Sequence, residues 1–374
     1  MSSIGRPTWA EVDLSAIRRN VAALKSLLRP GVRFCAVVKA NGYGHGAAQA
    51  AGAALRAGAD YLAVAILDEA LALRSAGLTA PILILGYTPP AQSHLVAENN
   101  LTQTIYNLAQ AVALGAAGAA LGRAVKVHLK VDTGMGRLGV EPGQAADFAR
   151  SAARQPGLLI EGLYTHFAQA DSRDKTSAAG QLAAFQSALA AVAALGLNIP
   201  LRHAANSAAL LDLPESHLDM VRAGISLYGL WPSEETSRPV ELSPALKFKT
   251  TIALLKRVPA GTPLSYGHTH LTTAPADIAT LPVGYADGWP RNLSGRAVTL
   301  AGGRRAKVVG RICMDQCLID VTAIPGLAEG DEVLLFGGPD LPVEEPAALL
   351  GTINYELVCQ VGQRVPRVYR EGQP

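Results

Sequence analysis

The chain carries little net charge of either sign. Its 33 Lys+Arg against 30 Asp+Glu leave a formal +3 over 374 residues. That near-neutrality gives no electrostatic case for a nucleic acid or an anionic membrane surface as partner. Long apolar runs are also missing: no stretch approaches the ~18 uninterrupted residues of a spanning helix. The opening residues, Met1-Ser2-Ser3-Ile4-Gly5-Arg6-Pro7-Thr8-Trp9-Ala10, lack a basic segment followed by an apolar one, so no secretory leader is expected. Cysteine is scarce and scattered (Cys35, Cys313, Cys317, Cys359), without Cys-x-x-Cys spacing. A zinc site or disulfide framework is therefore not expected, and a reducing cytoplasm fits best. Cys313 and Cys317 are spaced to share one face of a strand as small buried hydrophobes. What the chain does have is 49% hydrophobic and 17% charged residues, the composition of a globular protein with an ample core. One large domain plus a smaller one suits this length.

Through the first 225 or so residues, short apolar runs alternate with alanine-rich helical stretches. Strands are expected at 34–38, 62–65, 82–85, 102–105, 125–131, 159–165, 200–204 and 219–221. Helices are expected at 47–57, 67–76, 107–120, 143–155 and 177–195. Repeated strand-then-helix units with non-alternating strands imply a parallel sheet. Eight units in one run point to a (β/α)₈ (TIM) barrel, a doubly wound sheet being the weaker option. The pattern changes after Trp231-Pro232, where 232–244 reads as a linker. Short β-rich runs come next, at 248–256, 276–284, 306–312, 316–321 and 331–336. The alternation of Thr8-Trp9-Ala10-Glu11-Val12 suits a strand paired with this second, mostly β domain. The expected division is a barrel over 11–235 and a β domain made of 1–10 and 236–374.

Polar residues cluster just after the barrel strands, at the face where such barrels place their active sites. Lys39 follows the first strand, and Lys130 and Arg137 lie at and beyond the fifth. His166 ends the sixth, Asn206 and Ser207 follow the seventh, and Arg222 follows the eighth. Lys39 stands in Phe34-Cys35-Ala36-Val37-Val38-Lys39-Ala40-Asn41-Gly42-Tyr43-Gly44-His45-Gly46, an apolar strand that turns through glycines into a small-residue helix. A lysine held partly out of water has a lowered pKa and a usable free amine, as Schiff-base chemistry requires. The same pattern also suits a lysine that snorkels from a strand end.

The run Ala36–Gly46 resembles the pyridoxal-phosphate lysine motif of the barrel-type alanine racemases. The resemblance continues in order through His128–Gly139, Tyr164–Phe167, Asn206-Ser207 and Val221–Gly229. In the second domain it covers Ser265-Tyr266-Gly267, Leu281–Gly288, Gly310–Gln316 and Asn354-Tyr355-Glu356, so that it spans nearly the whole chain.

The resemblance implies pyridoxal 5'-phosphate (PLP) as cofactor, bound through Lys39, and interconversion of L- and D-alanine by a two-base mechanism. Inversion needs a proton donor on each face of the α-carbon, because one base returning its proton to the same face only retains configuration. The family implies Lys39 as base for the D-isomer and Tyr266 for the L-isomer. A tyrosine, with an ordinary pKa near ~10, needs help to serve as a base. Arg222 is implied to face the pyridine nitrogen, which an arginine can neither relieve of a proton nor supply with one. Related barrel decarboxylases place an acidic residue at that nitrogen, so Arg222 argues for racemisation. His166 is implied to orient Arg222, with Asn206 beside the cofactor. Tyr43, Ser207, Tyr355 and the amides of Gly224 and Ile225 are implied to hold the phosphate. Arg137 resembles the contact to the substrate carboxylate, and Lys130 resembles a lysine carbamylated in many members. The added negative charge would hold Arg137.

Tyr266, Tyr285 and Met314 belong to the second domain yet match residues of an active site. The family implies a head-to-tail homodimer in which one subunit's β domain completes its partner's barrel. D-alanine for peptidoglycan is the implied product. Two alternatives stand beside this reading: a broader-specificity amino-acid racemase, whose known kind is usually exported, and a non-enzymatic PLP-binding protein. The latter kind lacks both the β domain and a counterpart of Tyr266.

Overall fold

The computed structural model describes residues 6–371. They form two compact units. One takes the chain up to Ala16, Tyr43–Gly46, and everything from Ser243; the other takes Ile17–Gly42 and Ala47–Leu242.

Strand β1 (Thr8–Asp13) belongs to the first unit. The second unit is built on β2 (Arg33–Val37), β3 (Tyr61–Val64), β4 (Ile82–Ile84), β5 (Thr102–Ile105), β6 (Val125–Lys130), β7 (Leu158–Tyr164), β8 (Leu201–His203) and β9 (Met220–Ala223). All pair in parallel, in the order β8-β7-β6-β5-β4-β3-β2-β9. The seam between β8 and β9 is bridged where Asp219 N–H donates to Arg202 O and Arg222 N–H donates to Ala205 O. This is a nearly closed eight-stranded barrel, as the alternation predicts. Strands such as Tyr61–Val64 and Ile82–Ile84 are buried on both faces, which only flanking helices allow. Those helices present small residues inward, Ala50, Ala51, Ala53 and Ala54 on Ala47–Arg56 for example. Helices at Leu14–Lys25 and Ser93–Glu98 lie outside the expected set. No helix among the described residues is long and apolar enough to cross a membrane.

The first unit continues with β10 (Leu246–Thr251), β11 (Leu254–Val258), β12 (Pro263–Leu264), β13 (His270–Leu271), β14 (Ala276–Leu281), β15 (Val298–Ala301), β16 (Arg304–Val309), β17 (Cys317–Asp320), β18 (Glu332–Phe336) and β19 (Arg367–Arg370). Nine of these strands, β1 included, make one sheet in the order β11-β14-β17-β16-β15-β18-β10-β1-β19. β1 pairs antiparallel with β10 and parallel with β19. The run expected at 248–256 is two strands, broken at Ile252-Ala253. β17 opens at Cys317, so Cys313 stands in the preceding loop and the two cysteines do not share a strand face. β12, β13, β15 and β19, and the helices Glu344–Leu350 and Asn354–Gln360, lie outside the elements expected from the sequence. These are short elements of mixed burial, without a long apolar run to announce them.

One strand pair sets up the site. The β6–β7 ladder slips register between Val127 and His128, which brings the His128 ring against Gly162. A Cβ at Gly162 would lie 2.6 Å from His128 Cγ, a distance no packed side chain tolerates. Gly162→Ala should therefore destabilise the protein by about 1–3 kcal/mol, the range of overpacking in a dense core. Chemical unfolding checks this, and an unchanged midpoint would contradict it.

Candidate active site

Lys39 follows β2 at the mouth of the barrel, and the backbone there winds left-handed. Ala40, Asn41, Gly42 and Tyr43 have φ of 52°, 53°, 63° and 50°. Three of the four carry a Cβ, and such residues pay roughly 1–2 kcal/mol each for this conformation. Local bonds hold the turn in place. Glu69 accepts from the N–H of Ala40 at 2.6 Å and from that of Ala65 at 2.8 Å, while Asn41 Oδ1 accepts from Ala47 N–H at 3.0 Å. Strain concentrated at the expected reactive lysine is a common mark of a functional turn.

Arg222, on β9, is 3% exposed. Its Nη1 donates to His203 Nδ1 at 2.7 Å, and its Nη2 donates to the carbonyls of Thr165 and Ala204, both at 2.9 Å. Its contact with His166 Nδ1 is longer, 3.3 Å. His166 is thus beside Arg222 as expected, but His203 makes the shorter bond. Burial, with the charges of Arg222, Lys130, Arg137 and Lys39, holds His166 well below the usual histidine range. His203 is held low by burial, Arg222, His128 and Lys130. Both rings are neutral acceptors for the guanidinium.

Two basic groups lie over the Tyr164 ring, Lys130 Nζ at 5.2 Å and Arg222 Cζ at 5.1 Å from its centroid. Lys130 is 6% exposed and donates to Val131 O at 2.9 Å. Burial foremost, then the charge of Arg222 and that of Arg137, bring its pKa down to about 7, with Asp132 opposing. Asp132 also shapes the loop that carries Arg137. It accepts from the backbone amides of Gly134, Met135, Gly136 and Arg137 at 2.9–3.1 Å. Burial raises its pKa, but these amides and Lys130 outweigh that and leave it below the usual carboxylate range. Arg137 itself is exposed.

Ser207 opens the short helix after β8, and its Oγ accepts from Gly224 N–H at 2.8 Å and Ser226 N–H at 3.4 Å. Ile225 follows in the same turn. Asn206 caps that helix, its Oδ1 accepting from Ala209 N–H at 3.0 Å. The Ser226 hydroxyl is buried with no hydrogen-bond partner among the described residues. With the Gly224 and Ser226 amides turned to Ser207, the hydroxyls of Ser207 and Ser226 are the donors at this turn suited to an oxyanion.

The remaining expected residues lie in the first unit. Tyr43 and Tyr355 approach with ring centroids 6.1 Å apart. Tyr266 follows Ser265, which has φ 62° and donates to Arg311 O at 2.6 Å. Tyr285 N–H donates to Cys313 O and Ala286 N–H to Met314 O, at 3.0 and 3.1 Å, so Tyr285 and Met314 share one pair of loops. Asp287, fully buried, braces them. It accepts from Arg6 Nη1 at 2.5 Å and Arg364 Nε at 2.7 Å, and Arg364 also bonds Asp315 at 2.7 Å. Tyr266, Tyr285 and Met314 are 70%, 42% and 53% exposed.

Sequence reasoning missed His203, Glu69, Asp132 and Asp287. Only Asp132 left a legible signal, since Asp followed by Thr-Gly-Met-Gly is a side-chain-capped turn.

The family model for the alanine racemase N-terminal domain matches residues 12–232, and that for the C-terminal domain matches 245–369. The chain belongs to the alanine racemase family. An alanine racemase of Desulfovibrio desulfuricans is 57% identical over 371 residues, covering 99% of this chain and 100% of its own. One of Desulfosudis oleivorans is 51% identical, with 97% of each chain covered. Among solved structures, the alanine racemase of Clostridium difficile 630 aligns at a TM-score of 0.96 and 39% identity, over 100% of this chain and 98% of that one. That of Bacillus anthracis with bound L-Ala-P aligns at 0.92 and 40%, over 98% and 96%. The barrel and mostly β unit described above are thus those of an alanine racemase.

Lys130 gives this site a pH signature. Its amine in the folded chain titrates near 7, against 10.5 for an ordinary lysine. The unfolded chain therefore binds more protons across that window, and this group's contribution to stability rises as pH increases from about 7 to about 10.5. In CO₂-free buffer, the unfolding free energy should climb more steeply with pH for the native chain than for Lys130→Met. Equal slopes would refute the depressed pKa.

Proposed function

We propose that this chain interconverts L- and D-alanine with pyridoxal 5'-phosphate as cofactor and with Lys39 and Tyr266 as its two bases. The observation that carries the reading is Arg222, a buried guanidinium whose described partners are carbonyls and neutral histidines, at the same barrel end as Lys39. The donors present fit the cofactor. Lys39 would carry it, Arg222 would face its pyridine nitrogen, and Ser207 with the Gly224–Ile225 turn, Tyr43 and Tyr355 would hold its phosphate, with Asn206 alongside. The unpartnered Ser226 hydroxyl adds one more donor at that turn.

Bound there, the cofactor withdraws electrons from the amino acid's α-carbon and makes its proton removable. The chain's own groups then move that proton. The Lys39 amine takes or returns it on one face of the α-carbon, and the Tyr266 hydroxyl does so on the other. Arg137 holds the substrate carboxylate by charge-assisted hydrogen bonds. Arg222 has no lone pair to accept a proton and gives none up at neutral pH, so it leaves the ring nitrogen unprotonated. That restrains charge delocalisation and works against decarboxylation and transamination.

Tyr266 and Met314 are more than half exposed on the single chain, which supports a head-to-tail homodimer. In it, Tyr266, Tyr285 and Met314 of one protomer would complete the barrel site of the other. An entrance lined by Tyr266, Tyr285 and Tyr355 would favour alanine over serine, although one added group is worth only about 1–3 kcal/mol of discrimination. The product would supply D-alanine for peptidoglycan in the cytoplasm.

An amine with a pKa of about 7 is partly neutral at physiological pH and can add CO₂. Carbamylated, Lys130 would offer Arg137 a carboxylate-like acceptor. A ¹³C resonance of carbamate should appear in the native protein under ¹³C-bicarbonate and be absent from Lys130→Met; its absence from both would refute the modification.

The reading is tested with PLP-loaded protein and L-alanine in D₂O, followed by NMR and chiral separation. Deuterated D-alanine should form. Tyr266→Phe should lower its rate by about 10²–10⁴, the scale of a lost general acid–base group. Ethylamine and CO₂ would make the chain a decarboxylase, and no exchange at all would make it a PLP-binding protein.

A further inference from the structure

Behind Arg222 a line of side chains crosses the barrel interior. Arg222 Nη1 meets His203 Nδ1 at 2.7 Å, His203 Nε2 meets His128 Nδ1 at 2.8 Å, and His128 Nε2 meets Glu161 Oε2 at 3.3 Å. Glu161 is the last member. It also accepts from Lys126 Nζ at 2.7 Å and from the Tyr61 hydroxyl at 2.8 Å. The two histidines are fully buried, and the Glu161 side chain is 12% exposed. Four strands, β6, β7, β8 and β9, each contribute a link.

The direction of this line is fixed at both ends. Arginine has donors only, so His203 Nδ1 must be an unprotonated acceptor. A neutral His203 then carries its proton on Nε2 and donates it to His128 Nδ1, which must also be bare. His128 in turn carries its proton on Nε2 and donates to the carboxylate. A doubly protonated His128 would aim an N–H at the Nε2–H of His203. The setting agrees: burial holds His128 low, against the opposing pull of Glu161, while Arg222 and Lys126 also lower it. Burial would raise Glu161, but hydrogen bonds from His128, Lys126 and Tyr61 bring its pKa down to about 2, so it is an acceptor throughout. Reversing one ring would break two bonds of the line together.

We propose that Glu161 is a positioning residue for the racemase site, acting through His128 and His203 to present a fixed acceptor that sets the plane of the Arg222 guanidinium. The step rests on the proposed racemase reading only for its effect on turnover; the ring tautomers follow from the fold itself. An ordinary half-exposed ion pair with Lys126 would account for Glu161 Oε1. It would not account for Oε2, which is turned inward to the Tyr61 hydroxyl and the His128 ring.

The test starts with ¹⁵N NMR of histidine-labelled holoenzyme, with His128 and His203 assigned by difference from single substitutions. Both should be neutral Nε2–H tautomers at pH 6–8. A proton on Nδ1 of either ring, or on both nitrogens, would overturn the proposal. Glu161→Gln keeps the shape and removes the charge. It should lower kcat about tenfold, a scale seen when a partner that orients an active group is lost. KM should change less than twofold, and the absorbance band of the bound cofactor should shift, because its ring nitrogen senses the guanidinium. Tyr61→Phe removes a bond to Glu161 and leaves the charge, so it should lower the melting temperature without the loss in kcat. Unchanged kcat and absorbance in Glu161→Gln, or an equal kcat loss in Tyr61→Phe, would reduce Glu161 to a structural ion pair. If Glu161→Gln does not fold, the native ring tautomers alone decide. A chain that racemises nothing but keeps both Nε2–H tautomers would fail the functional reading and leave the polarity of the line standing.

Discussion

Burial of one guanidinium constrains everything around it. Arg222 keeps its charge at 3% exposure, and removing such a group from water is unfavourable unless every donor finds an acceptor. The barrel offers Nη1 and Nη2 the carbonyls of Thr165 and Ala204 and two imidazoles, with no carboxylate in direct contact among the described residues. Each of these neighbours is then constrained in turn. The histidines are kept neutral, the Tyr164 ring offers its negative face to both cations, and Lys130 is pushed toward neutrality. The left-handed turn after Lys39 and the Ser207–Gly224 contact lie at the same end of the barrel, so the fold concentrates positive potential where an anionic group would bind.

Three carboxylates solve a common problem in the loops that carry expected site residues. Glu69 fixes the turn after Lys39, Asp132 gathers four amides of the loop that leads to Arg137, and Asp287 braces the loops of Tyr285 and Met314. Each is a charged acceptor for backbone N–H groups or guanidinium donors that would otherwise be satisfied by water. Such bonds are stronger than neutral ones, and they convert flexible connections into rigid mounts. Precision of this kind matters because a reacting group displaced by about 1 Å can lose 10²-fold in rate.

The barrel was legible because its strands are buried on both faces. Apolar composition alone marks Tyr61–Val64 and Ile82–Ile84, and the expected bounds of 62–65 and 82–85 fall within one residue of those observed. Motif resemblance alone named candidate site residues, and the structure brings four of them, Lys130, His166, Arg222 and Ser207, to one end of the barrel. The second unit was harder. β15 and β19 are four-residue strands of mixed burial, and Arg367–Arg370 is as polar as a loop. The line from Arg222 to Glu161 was not legible at all. His128 and Glu161 meet where the β6–β7 ladder slips by one residue beside Gly162, and a bulge in Leu158–Tyr164, which has no clean alternation, is not marked in its sequence.

The placement of Glu161 two imidazoles away from Arg222 has a physical logic. A carboxylate in direct contact would form a bidentate pair with the guanidinium and occupy the donors needed elsewhere. It would also cancel much of the positive field at the mouth of the barrel, since opposite charges in a low dielectric interact strongly at short range. Neutral rings avoid both outcomes. They pass on the direction of the hydrogen bonds without passing on the charge, and each bond polarises the next. The arginine is thereby held by an anion that does not neutralise it. Were Arg222 to face a cofactor's ring nitrogen as proposed, it would have to be a cation both fixed in place and unable to yield its proton, and an arginine held by neutral rings meets both requirements.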